Sequence, residues 1–245
     1  MSTREDWMRR LGPLYGGAVA LVHSTPWRWP VTIGEDARQP GWIVALGVPI
    51  GVIAYLAAAL ARAAGMPSAL AALFGLAALS AASAALVERG LAERVERIQS
   101  LTRSPTARAA GVTVVLVFVM LGRAAALIEL SPARWLGVLV TTALVGRWAA
   151  VFLQSLGDPI LDDDAPRSLV AAPAPAWLTA ALSLGVTVVA VLALGKAGIA
   201  AIAVTAVLAF ALGLDAQRRD RGLSAPVVAT AAAIGELVVL LTATM

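Results

Sequence analysis

Three charged residues interrupt stretches that are otherwise apolar: Arg123, Arg147 and Glu236. An arginine at the centre of a spanning helix costs about 2.5–3.5 kcal/mol on insertion scales, so it needs an inward-facing partner or a task. For Arg147 two readings stand. It forms an internal ion pair, for example with Glu236, that fixes helix register. Alternatively it binds a phosphate group from inside a cytoplasm-facing cavity, because a guanidinium offers planar, bidentate donors to phosphate oxygens. Arg123, six residues before Glu129, reads as structural.

Two polar stretches carry clustered carboxylates. In Glu88-Arg89-Gly90-Leu91-Ala92-Glu93-Arg94-Val95-Glu96-Arg97, the acids Glu88, Glu93 and Glu96 recur at near-helical spacing among three arginines. The pattern fits a solvated helix laced with weak i,i+4 pairs. The second stretch, Asp158-Pro159-Ile160-Leu161-Asp162-Asp163-Asp164, sets Asp162, Asp163 and Asp164 side by side. Mg²⁺ prefers oxygen ligands and often sits between carboxylates and substrate phosphates, although a polar loop cap explains the same residues.

Other chemistries are excluded by what is missing. The chain has no cysteine, so disulfides and thiolate metal sites are impossible. His23 is the single histidine, which rules out a multi-histidine cage. There is no GxxxxGK[ST], GxSxG, HExxH or CxxC. A net charge of +4 and a pI near 10.6 could suggest nucleic acid. The basic residues instead sit in short loops between apolar segments, where they set membrane topology, so no nucleic-acid partner is expected. The stretch Met1 to Arg10 lacks the apolar core of a cleavable signal.

Lipid must position these groups. Hydrophobic residues make up 60% of the 245 and charged residues only 14%, with a mean hydropathy of +0.84. Seven segments are long enough to cross a bilayer: 41–63, 66–87, 109–130, 133–156, 169–194, 196–214 and 225–244. Leu11 to Val22 is shorter and ends in His23-Ser24-Thr25-Pro26, so it reads as an interfacial or re-entrant helix. The fold class is therefore an all-α, polytopic integral membrane helix bundle. It forms one membrane domain over 1–245, with 1–40 as a cytoplasmic or interfacial N-terminal segment and 41–245 as the bundle.

With the N-terminus cytoplasmic, fourteen arginines fall on that side, against Arg62, Arg134 and Lys196 opposite. That bias places the N-terminus inside and the C-terminus outside. The outer turns are minimal, so any chemistry faces the cytoplasm.

The motifs in order are Ser24-Thr25-Pro26-Trp27-Arg28-Trp29-Pro30, Pro49-Ile50-Gly51, Gly90-Leu91-Ala92-Glu93, Arg147-Trp148 and Ala233-Ile234-Gly235-Glu236-Leu237-Val238. From about residue 15 to the end, this arrangement resembles cobalamin synthase, the adenosylcobinamide-GDP ribazoletransferase family of membrane enzymes. In that family the loop after the second main helix resembles His-Leu-Asp-Gly-Leu-Ala-Asp-x-x-Asp-Gly, with acids thought to hold Mg²⁺. Matched here, its histidine falls on Val87, its first aspartate on Arg89, and the next two on Glu93 and Glu96. The Arg-Asp-Ser-x-x-Gly segment has no clear counterpart in Thr102-Arg103-Ser104-Pro105. The late Gly-Gly-x-Thr-Gly-Asp motif falls on Arg221 to Pro226, so its aspartate becomes Pro226.

The resemblance implies a transferase of the bacterial inner (plasma) membrane. It would join alpha-ribazole, or its 5′-phosphate, to adenosylcobinamide-GDP with release of GMP, the last step of cobalamin biosynthesis. Its implied partners are membrane lipid, a nucleotide-activated small-molecule substrate and other membrane proteins. Mg²⁺ would be held by Glu93 and Glu96, helped by Asp162, Asp163 and Asp164, with Arg147 and Glu236 as catalytic groups. The alternative is a catalytically degenerate relative acting as a membrane scaffold or complex subunit. The D-G-x2-A-R-x8-G-x3-D-x3-D pattern of CDP-alcohol phosphotransferases is missing, and no inverted repeat suggests a transporter.

Overall fold

The protein is described by a computed structural model covering residues 4–27, 39–100, 104–160, 168–171, 173–220 and 222–245. Among these residues every extended element is a helix, and the β-pairing consists of an isolated bridge between Pro159 and Leu223. The chain is a multi-pass membrane bundle. Backbone groups in hydrocarbon have no water to bond, and a helix satisfies them within its own segment.

The N-terminal segment forms α1 (Arg4–Leu11), a 3-10 turn at Gly12–Leu14 and α2 (Tyr15–Ser24). Gly12 supplies the positive φ, 50°, that lets the chain turn there. The expected short helix over Leu11 to Val22 is thus real, but it is interrupted at its start and preceded by another. Six runs then have the length and apolarity of a span. The first joins α3 (Gln39–Ala45) to α4 (Gly47–Ala63). The others are α7 (Pro105–Glu129), α8 with its preceding 3-10 turn (Trp135–Gln154, Pro132–Arg134), α9 (Ala176–Leu194), α10 (Lys196–Asp220) and α11 (Ala225–Thr242).

The segment expected as a single span over 66–87 is broken. It comprises α5 (Ser68–Ala82) and α6 (Leu86–Gln99), which meet at 78° across Ser83, Ala84 and Ala85. Fifteen residues of α5 cover only about 22 Å, short of the roughly 30 Å of hydrocarbon. Two other boundaries also shift. The helix expected from 169 begins at Ala176, and the one expected to stop at 214 continues to Asp220. Arg218 and Arg219 close that last turn, where cations complement the helix dipole.

Helices α8 and α11 form the centre. Their apolar windows are 78% and 72% buried, against 22% for α7, 17% for α9 and 28% for α10, whose outer faces are left for lipid. Small residues allow the approach. A Cβ on Gly47 would lie 2.6 Å from the Leu144 Cα, and one on Gly51 would strike Val140. Gly146 and Gly235 perform the same service between α8 and α11. Close contact of this kind replaces the hydrophobic drive that lipid removes.

Packing also orders the ends. Gly213 of α10 meets Leu153 near the end of α8, Gly157 meets Gln217, and Ser168 N–H bonds the His23 carbonyl at 3.0 Å. Arg94, late in α6, reaches Asp215 and Asp220. The end of α6 therefore lies with the ends of α8 and α10 and the start of α11, while α5 begins beside the far end of α4. Counted as one passage, the broken pair brings the candidate crossings among the described residues from six to seven. Arg97, Arg218 and Arg219 lie in the last turns of α6 and α10, at the end of the bundle that Arg94 clamps. Arg62, Arg134 and Lys196 stand at the other.

Two outcomes follow. Reporters fused at the two termini will give opposite signals, one active only in the cytoplasm and the other silent; matching signals would reduce the crossings to an even number. Gly51→Val will push α4 off α8 and lower the melting temperature in detergent. The overpacking cost is on the order of 1–3 kcal/mol, and an unchanged melt would show that the contact carries no load.

Candidate functional site

Charges from four helices meet where α5 breaks into α6. Arg123 of α7 is 2% exposed and sits between two carboxylates, 2.9 Å from Glu88 and 2.7 Å from Glu236. Glu88 Oε1 also accepts from Ser80 Oγ at 2.7 Å, a bond that spans the break. Arg147 of α8 is equally buried and donates to Ser83 Oγ at 3.3 Å, on the break itself. Two arginines and two glutamates sum to zero, which lets charge persist in a low-dielectric core. Ser83 Oγ in turn donates to the Leu79 carbonyl at 2.8 Å.

The pairing expected between Arg147 and Glu236 is not the one formed. Glu236 goes to Arg123, and no carboxylate lies within salt-bridge distance of Arg147 among the described residues. Glu236 instead packs against Gly146, where a Cβ would come 2.6 Å from its Cγ. Glu129, six residues beyond Arg123, is exposed. Trp148 cannot share the task of Arg147, because neighbours on a helix point about 100° apart. Its Nε1 donates to Ser183 of α9 at 3.0 Å and its ring stacks on Phe152.

A second locus lies at the arginine-rich end. A shallow groove is lined by Leu86, Arg89, Gly90 and Glu93 of α6, by Ser168 and Leu169, and by Ala225, Pro226 and Ala229 of α11. Gly90 makes this possible, since a Cβ there would collide with that of Ala229. Leu86, Gly90 and Arg94 recur at i, i+4, i+8 and share the buried face of α6. Arg94, 3% exposed, bonds Asp215 at 2.9 Å and also Asp220, pinning α6 to α10. That spacing was the signal for its structural role. No comparable signal pointed to its aspartate partners, which lie more than a hundred residues away.

Glu93 and Glu96 of α6 are exposed, and Glu93 accepts from Arg89 Nε at 3.1 Å. This is the i,i+4 pair that the sequence pattern implied, worth little in water. Asp162, Asp163 and Asp164 lie outside the described residues. The described donors alone do not make a Mg²⁺ cage: no group of three acids or imidazoles converges, and an arginine already holds one of the two candidate ligands. Glu93 lines the groove; Glu96 does not. Arg147 and Glu236 belong to the buried cluster.

No protein-family model, no curated protein and no solved structure matches this chain.

Arg94→Ala will leave Asp220, itself 14% exposed, without its buried partner. The expected loss is on the order of 3 kcal/mol, read as a lower melting temperature together with faster proteolysis between α6 and α10. A melt unchanged from the parent would mean the clamp contributes nothing.

Proposed function

We propose that the protein is a cobalamin synthase-like membrane transferase whose working face is the groove between α6, the segment around Ser168 and the start of α11. One observation carries this reading. The residues that match the family's acidic loop and those that match its late loop lie far apart in the chain, yet Glu93 and Pro226, 133 positions apart, line the same groove. Positive-inside bias turns this end toward the cytoplasm, where nucleotide-activated substrates are found.

The reaction asks for little covalent chemistry from the protein. A hydroxyl oxygen of alpha-ribazole forms a bond to the phosphorus that carries cobinamide, the bond to the GMP oxygen breaks, and the hydroxyl proton leaves. Positioning and neutralisation of phosphate charge supply most of the acceleration in such transfers. In the groove Arg89 offers a guanidinium to the phosphate oxygens, and Glu93 both orients that guanidinium and can accept a proton. No step is routed through a metal, because the described carboxylates do not assemble one. Arg147 and Glu236 serve beneath the groove as frame.

A second reading has its own support. Arg89 stands where the family has its first aspartate, and it is already paired with Glu93. That places a cation where a cation ligand belongs, which favours a relative that kept the bundle and now acts as a membrane scaffold or subunit. Complementation separates the two. In a strain lacking the last step of cobalamin assembly, the parent chain should restore growth on limiting cobinamide. The Glu93→Ala, Glu96→Ala double variant should lower that growth at least about tenfold. No rescue by a well-expressed, membrane-inserted parent would end the transferase reading and leave the scaffold.

A further inference from the structure

The break between α5 and α6 is held in an unusual way. Ala84 and Ala85 both have left-handed backbones, with φ of 53° and 51°. Glycine is the ordinary occupant of that region, because a Cβ there crowds the backbone. Helix-terminal bonds recover part of it: Ala85 N–H reaches the Ser80 carbonyl at 2.8 Å and Ala84 N–H the Ala81 carbonyl at 3.0 Å. Neither alanine demands the bend. All eighteen residues from Ser68 to Ala85 are glycine, alanine, serine, leucine or phenylalanine, and nothing in that composition stops a helix from running on.

What the bend does is turn Glu88 inward. Four polar groups, one from α5 and three from other helices of the bundle, are arranged around that turn. Ser80 staples Glu88 across the break, Arg123 binds Glu88 from α7, Glu236 steadies Arg123 from α11, and Arg147 reaches Ser83 from α8. A straight continuation of α5 would forfeit the Ser80–Glu88 and Arg123–Glu88 contacts and leave Arg123 with a single acid. It would also lift Gly90 from Ala229 and dismantle the groove.

We infer that Arg123 is a positioning residue: through Glu88 it latches the α5–α6 break, and so holds α6 across the start of α11 where the groove is formed. This deepens the transferase reading by naming what builds its working face, but the latch itself is a claim about geometry. It is read without substrate, so loss of the enzyme proposal would not touch it.

The cysteine-free chain suits spin labelling. Ala77→Cys on α5 and Ile98→Cys on α6 are both exposed, and the full-length, labelled protein in lipid nanodiscs reports the distance between the two helices. With Arg123 present one narrow distribution is expected. Arg123→Met should broaden it roughly twofold or add a longer component, whereas Arg123→Lys, which keeps the charge, should restore the narrow peak. A distribution unmoved by Arg123→Met in protein of parental helix content would overturn the latch, as would an Arg123→Lys distribution as broad as that of Arg123→Met. If Arg123→Met does not fold, Glu88→Gln carries the same test. It retains the size of the side chain and its acceptor for Ser80 while removing the charge that Arg123 binds, so an unchanged distribution there is equally fatal.

Discussion

Charge buried in hydrocarbon must be cancelled where it stands, and that requirement shapes the centre of this bundle. Arg123, Arg147, Glu88 and Glu236 come from four helices, and each would be costly alone. Together they are neutral. Their convergence requires α7, α8 and α11 to approach closely, which explains the glycines along α8 and α11. It also requires α6 to begin at membrane depth rather than at the surface, which explains why the second passage is broken. Packing and electrostatics are therefore one constraint, met by the same backbone arrangement.

From that centre the rest follows outward. The helices that do not touch the cluster, α9 and α10, have mostly lipid-facing surfaces and are joined to the core by small residues and by Arg94 through its two aspartates. The surface-exposed charges of α6 have a different status from the buried ones. Arg89 and Glu93 pair in water and can exchange that pair for a ligand at little cost. Arg123 and Glu236 have no such freedom. A group available to substrate and a group committed to structure can thus sit one and a half turns apart, and burial decides which is which.

That distinction bears on the family resemblance. The residues retained from the cobalamin synthase pattern, Arg147-Trp148 and Gly235-Glu236, fall in the buried frame. Those replaced, at Val87, Arg89 and Pro226, fall at or beside the groove. Under the proposed transferase reading, a kept frame beneath a changed working face is the pattern of a fold that outlasts or alters its chemistry, and the growth experiment separates those two outcomes.

Much was legible without coordinates. Seven lipid-length segments, the asymmetric arginines and the exposed i,i+4 pair of α6 are local or additive properties, set by side-chain hydropathy and spacing along one helix. That Arg123, Arg147 and Glu236 must face inward was equally plain, because lipid tolerates no unpaired charge. Which acid meets which arginine was not. Glu236 sits beside Gly146 in the folded bundle, one residue from Arg147, yet it pairs with Arg123, since rotation and depth of three helices decide the reach of each side chain. The turn at Ala84 and Ala85 was hidden for the same reason. No residue there forbids a helix, and only the partners waiting for Glu88 in the assembled core make the bent path the better one.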